Sequence, residues 1–286
     1  MLALMTLDEF RTSLVGALFG TVLIVGLWHW FRLMTDRERI DRLRDSLQSP
    51  RPAEKPITGA VTALCGCAWI LSLMVVWQLI SLDRSTTDSA DQSLTSQQLL
   101  VYTIVQASLQ TLLMFGVMVF ATKMGRIRWR DCGFRSDQIQ EQVTAGMLGF
   151  AMAMPIVFLF IMLTAVFRTP DNAHQFIQMM AKSPSVLNYL MIGFSVIILA
   201  PLAEELLFRV CMQGLFQQRN PLLAIMVTSL VFALVHGFPD SISLVPLALI
   251  LGTVYYYYNS YIACVVLHAA FNGFMFLLSL LDPTGM

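Results

Sequence analysis

Apolar runs of about 18 to 25 residues, each long enough to cross a hydrocarbon core of about 30 Å, recur along this chain and restrict what it can fold into. Eight are read, at roughly 12–34, 58–82, 98–122, 143–167, 186–216, 221–236, 241–258 and 261–281. In lipid every backbone N–H and C=O must find its partner inside the protein, so spans of this kind form helices. The expected fold class is all-α, a polytopic membrane helical bundle of about eight transmembrane helices. The sixth and seventh runs are short and joined by the breaker-rich HGFPDS, residues 236–241, so seven spans or a re-entrant pair also satisfy the pattern. The first run is too long for a signal-peptide core and is expected to be retained.

Composition agrees with a lipid solvent: 57% of residues are hydrophobic and 13% charged. A net charge of zero gives no reason to expect a nucleic-acid partner. Five cysteines, Cys65, Cys67, Cys132, Cys211 and Cys264, lack the paired spacing of a thiolate metal site and read as small apolar fillers. Lys and Arg concentrate in short loops that favour the cytoplasm. Arg37, Arg39, Arg42, Arg44, Arg51 and Lys55 follow the first span, and Lys123, Arg126, Arg128, Arg130 and Arg135 follow the third. The second connection carries only Arg84, and the fourth has Lys182 with Arg168 at its edge. Eight spans then place both termini away from the cytoplasm. RERIDRLRDS alternates in sign at helical spacing and is expected to be a solvated interfacial helix.

Ionisable residues are nearly absent from the first four spans, where His29 stands between two tryptophans, yet the last four hold Glu204, Glu205, Arg209, His236 and His268. A charge at bilayer depth costs at least about 2.5 to 3.5 kcal/mol on insertion scales, so such a cluster implies partners and a function. At 100° per residue Glu205 and Arg209 lie about 40° apart on one helix face, whereas Glu204 is about 140° from Arg209. Glu205 is the natural ion-pair partner, and Glu204 is left free. Phe232 pairs with His236 at the same four-residue spacing, and His268 with Asn272.

Glu204 and His236 are each sixteen residues from Asn220 in the turn signal RNP. In an antiparallel hairpin both lie about 24 Å from that turn and face each other. His268 stands only about 12 Å from the Asn259–Ser260 turn and joins them only if that turn lies deeper or the helices tilt. Pro201 adds a possible kink before the carboxylates.

The motifs EELLFR (204–209), FALVH (232–236) and HAAFN (268–272), in that order on C-terminal spans, resemble those of the CAAX protease and bacteriocin-processing (CPBP, or Abi) family of intramembrane endopeptidases, which includes the type II CAAX prenyl endopeptidases. The resemblance covers roughly 185–280, and WRDCGF (129–134) is similar to a stretch that often precedes the family's core. It divides the chain into N-terminal transmembrane segments with a basic cytoplasmic loop, 1–125, and a protease-like core, 126–286. It implies that Glu204 activates a water for attack on a peptide carbonyl with His236 helping to hold it. His268 and Asn272 would stabilise the oxyanion, and Glu205, Arg209 and Phe232 would support. No cofactor is required in this reading. A zinc ion held by Glu204, His236 and His268 is the alternative, weakened by the lack of an H-E-x-x-H helix. The implied partners are the lipid bilayer and a membrane-embedded or lipidated peptide, and the implied location is the cell membrane, multi-pass, of a bacterium. A proton- or ion-coupled transporter and a catalytically silent immunity or scaffold protein are the rival classes.

Overall fold

The computed structural model describes residues 7–48, 56–86, 95–169 and 185–281; Arg51, Lys55 and Lys182 lie outside them. The described residues form nine helices, the fifth followed directly by a 3-10 turn at Ala165–Phe167, and no strand. They are α1 (Leu7–Thr35), α2 (Arg37–Gln48), α3 (Gly59–Thr86), α4 (Ser96–Lys123), α5 (Ile139–Thr164), α6 (Val186–Phe216), α7 (Pro221–Leu234), α8 (Asp240–Tyr258) and α9 (Tyr261–Leu281). Seven of them are long and apolar enough to cross a membrane, and α7 is a shorter apolar helix of 14 residues. The chain is a multi-pass membrane protein, with α7 as the short member that the HGFPDS breakers foretell. His236 lies just past its end.

A helix, α2, forms at RERIDRLRDS as the spacing predicts, and the pairs Arg39–Asp36 at 2.8 Å and Arg44–Asp41 at 3.1 Å are solvent-exposed. Pairs of that kind add at most about 1 kcal/mol each, so they solubilise more than they stabilise. Of the five cysteines, Cys65, Cys132, Cys211 and Cys264 are buried as fillers, while Cys67 is exposed. In the loop before α5, burial pushes the Cys132 thiol up to about 12, and the neighbouring Asp131 adds to the effect.

One large apolar core joins α3, α4, α5, α6, α8 and α9, with members from Ile57 to Phe271. Close approach of α5 and α9 rests on small residues, as helix packing in lipid often does. A Cβ on Gly146 would lie 2.6 Å from the Ala263 carbonyl oxygen, and one on Gly149 would lie 2.5 Å from Leu267 Cδ1.

The connections settle two faces. On one, Gln218 Nε2 at the α6–α7 turn donates to Ile57 O at 2.9 Å, and Asn220 caps α7 by accepting from Leu223 N–H at 2.9 Å. The WRDCGF segment lies on the same face and holds the α8–α9 turn: Tyr261 N–H donates to Gly133 O at 2.9 Å, and the Tyr255 hydroxyl donates to Cys132 O at 3.2 Å. Gly133 sits at φ +86°, and a Cβ there would come within 2.9 Å of Tyr261 N. The basic residues of the α4–α5 connection share this face. On the opposite face Arg168, just past α5, pairs with Asp240 at the start of α8 at 2.8 Å.

Candidate active site

The helix that carries the carboxylates is not a plain α-helix. π-helical turns at Ser195–Leu199 and Leu206–Gln213 flank a short α stretch, Ala200–Glu205. Pro201 explains the first. It has no N–H, so the preceding turn must rearrange, and Ala200 N–H closes a wide turn onto Ser195 O. The Val196 carbonyl thereby loses both helical donors: Ala200 N–H is spent on Ser195, and Pro201 has none to give. Asn272 on α9 supplies the missing donor, its Nδ2 lying 2.9 Å from Val196 O.

Glu205 and Arg209 are both fully buried, and Arg209 Nε donates to Glu205 Oε2 at 3.0 Å, the pairing that helical arithmetic assigns. The second oxygen of Glu205 accepts from His268 Nδ1 at 2.8 Å. Glu204 makes neither bond. Its Oε2 is buried with no hydrogen-bond partner among the described residues, 3.7 Å from His236 Nε2 and 4.0 Å from His268 Nε2. Glu204 and His236 retain 19% and 20% side-chain exposure against 4% for His268, so they form the accessible lip of the cluster.

Both imidazoles are oriented from behind. His236 Nδ1 lies 2.7 Å from Phe232 O, which only accepts, so that nitrogen carries the proton and Nε2 is turned toward Glu204. His268 Nδ1 is likewise the donor to Glu205. Phe232 fills the centre of the group, with ring centroids 4.7 Å from His236, 5.6 Å from His268 and 5.2 Å from Phe208. The Arg209 guanidinium carbon stands 5.1 Å over its face, within cation–π range.

Simple helix counting puts His268 about 12 Å short of the other motifs; the structure corrects this. The start of α9 is held by the Tyr261 N–H bond to Gly133 O, and α9 packs on α6 so that the Tyr261 hydroxyl reaches Leu202 O at 2.7 Å. The π turns of α6 also spoil a uniform rise per residue. In the sequence Tyr261 is one more tyrosine after the run Tyr255–Tyr258, with nothing to mark its partner.

With His268 in the cluster, depth no longer argues against a three-ligand zinc set. Among the described residues no group of three His, Cys, Asp or Glu side chains is placed to hold a metal ion.

Residues 186–274 match the family described as type II CAAX prenyl endopeptidase Rce1-like. The match runs from the start of α6 past Asn272 and therefore takes in all three motifs of the CAAX-protease-type segment. No curated protein and no solved structure matches the chain.

Proposed function

We propose that the protein is an intramembrane endopeptidase that hydrolyses a peptide bond of a membrane-embedded or lipid-modified substrate, with Glu204 as the general base. The observation that carries this reading is the division of labour between adjacent carboxylates. Glu205 is consumed by Arg209 and His268, whereas Glu204 Oε2 has no hydrogen-bond partner among the described residues, its side chain keeps about a fifth of its surface exposed, and two imidazole nitrogens face it.

A separation of 3.7 Å is too long for a direct hydrogen bond and suits a bridging water. A water about 2.8 Å from both Glu204 Oε2 and His236 Nε2 would see them roughly 80–90° apart, which two hydrogen bonds accommodate. Glu204 takes the proton as the water oxygen attacks the carbonyl, and returns it to the leaving amine as the C–N bond breaks. His268 faces the developing oxyanion. Because its Nδ1 donates to Glu205, it offers a proton from Nε2 only as imidazolium. Asn272 acts through the second hydrogen of Nδ2, the first being held by Val196. Removal of an oxyanion donor costs on the order of 10²- to 10³-fold in rate.

The compartment we assign is the cytoplasmic membrane of a bacterium, and the mechanism routes no step through a metal. The test is mass spectrometry of lipidated peptides incubated with the reconstituted protein. New termini at one defined bond support the reading; intact peptides, with the protein folded and the peptides in the same bilayer, contradict it.

A further inference from the structure

Beyond the three motifs, α6 carries polar residues at every fourth position: Glu205, Arg209, Gln213 and Gln217. Arg209 and Gln213 are completely buried at membrane depth. Arg209 satisfies only Nε, and its Nη1 and Nη2, the Oε1 of Gln213 and the hydroxyl of Ser229 are buried with no hydrogen-bond partner among the described residues.

These atoms are spaced along the interface of α6 and α7. Gln213 Nε2 donates to Gly252 O at 2.8 Å, and a Cβ on Gly252 would lie 3.0 Å from both Gln213 Oε1 and Ile225, so Ile225 of α7 is level with Gln213. Phe232 is level with Arg209. Ser229, between Ile225 and Phe232 on the same helix face, lies between Gln213 and Arg209. The stripe continues outward through Gln217, whose Oε1 is 3.3 Å from Gln213 Nε2. Gln217 lines a cavity of about 70 Å³ with Gln218, Asp131, Asn259 and the Tyr255 side chain, on the face of the basic loops. That cavity is roomy and polar enough to hold water.

Buried donors and acceptors without protein partners are ordinarily satisfied by water. We propose that Arg209, Ser229 and Gln213 bind a buried chain of waters, filled from the Gln217 cavity, that forms a rear entrance supplying the catalytic cluster. The front lip at Glu204 and His236 is where substrate must lie, and a bound apolar peptide excludes water there. A route behind the Glu205–Arg209 pair stays open during turnover. The role in supply rests on the hydrolytic reading; the hydration site itself does not.

Two measurements test the proposal. A density map that resolves ordered water should show it within hydrogen-bond distance of Arg209 Nη1 or Nη2, Ser229 Oγ and Gln213 Oε1. Protein groups filling those contacts, or no water there, would overturn the site, whether or not the protein cleaves a peptide. In kinetics, the apolar plugs Gln213→Leu and Ser229→Val should each lower kcat by about tenfold or more with KM unchanged; Ser229→Val, which removes only an orphaned hydroxyl, should do so without lowering the melting temperature, whereas Gln213→Leu also gives up the bond to Gly252 O and should melt somewhat lower. The mouth variant Gln217→Leu, in a half-buried position that tolerates the change, should act in the same direction. Bound waters together with unchanged kcat in all three variants would overturn the supply role. An absence of peptide cleavage by the parent protein would instead strike the hydrolytic reading and leave the map to decide the site.

Discussion

Glu204 and Glu205 are chemically identical neighbours whose environments differ in every respect. One turn of geometry gives Glu205 a guanidinium and an imidazole and leaves Glu204 facing only histidines. Arg209→Ala should therefore destabilise the protein by about 3 to 5 kcal/mol, because it strands a buried carboxylate. Thermal melting in detergent should rank this variant well below Glu204→Gln, and the double variant Glu205→Gln/Arg209→Met should recover much of the loss. The reverse ranking would break the assigned pairing. Asn272→Ala removes the only donor identified for the Val196 carbonyl, so it should lower stability by about 1 to 3 kcal/mol as well as slow hydrolysis. Hydrolysis that slows with no change in melting would separate the two roles of this side chain. The pairing of Glu205 with Arg209 was legible from residue spacing alone. The tie from Asn272 to Val196 was not, since it depends on a wide turn that the periodicity of an apolar run does not encode.

Among the elements, α5 sets the position of α9 and hence of His268. Gly146 and Gly149 give the backbone of α9 room to approach, and any side chain at 146 meets Ala263 and Val266. Gly146→Val should cost about 1 to 3 kcal/mol by overpacking and should reduce kcat by moving His268 off Glu204. An unchanged melting curve and unchanged kcat would show that α5 does not place the histidine. Helix counting foresaw the Glu204–His236 encounter because α6 and α7 are joined by a short turn with Asn220 as cap and Pro221 at the first position. It misplaced His268 because the α8–α9 turn is held by a segment more than a hundred residues away, Cys132 and Gly133, through tertiary hydrogen bonds. The similarity noted for WRDCGF thus acquires a mechanical meaning: the segment fixes the depth at which α9 begins.

On the scale of the whole molecule, helices from both ends of the sequence share one core, and the titratable cluster sits where α6, α7 and α9 converge. The basic connections and the turns of the catalytic helices lie on a common face, which gives the bundle a defined sidedness. The proposed water-bridged arrangement routes no step through a metal, so hydrolysis by the purified protein should survive exhaustive chelation. Loss of activity on chelation, restored by zinc alone, would replace the water-bridged arrangement with a metal-bound one and make Glu205 the candidate base. The central claim is that Glu204 activates the attacking water, and it is tested most directly by the single-turnover rate of peptide cleavage in reconstituted Glu204→Gln beside the parent protein. The account predicts a fall of about 10²- to 10⁴-fold with an unaltered melting temperature; a Glu204→Gln protein that cleaves at the parent's rate would contradict it.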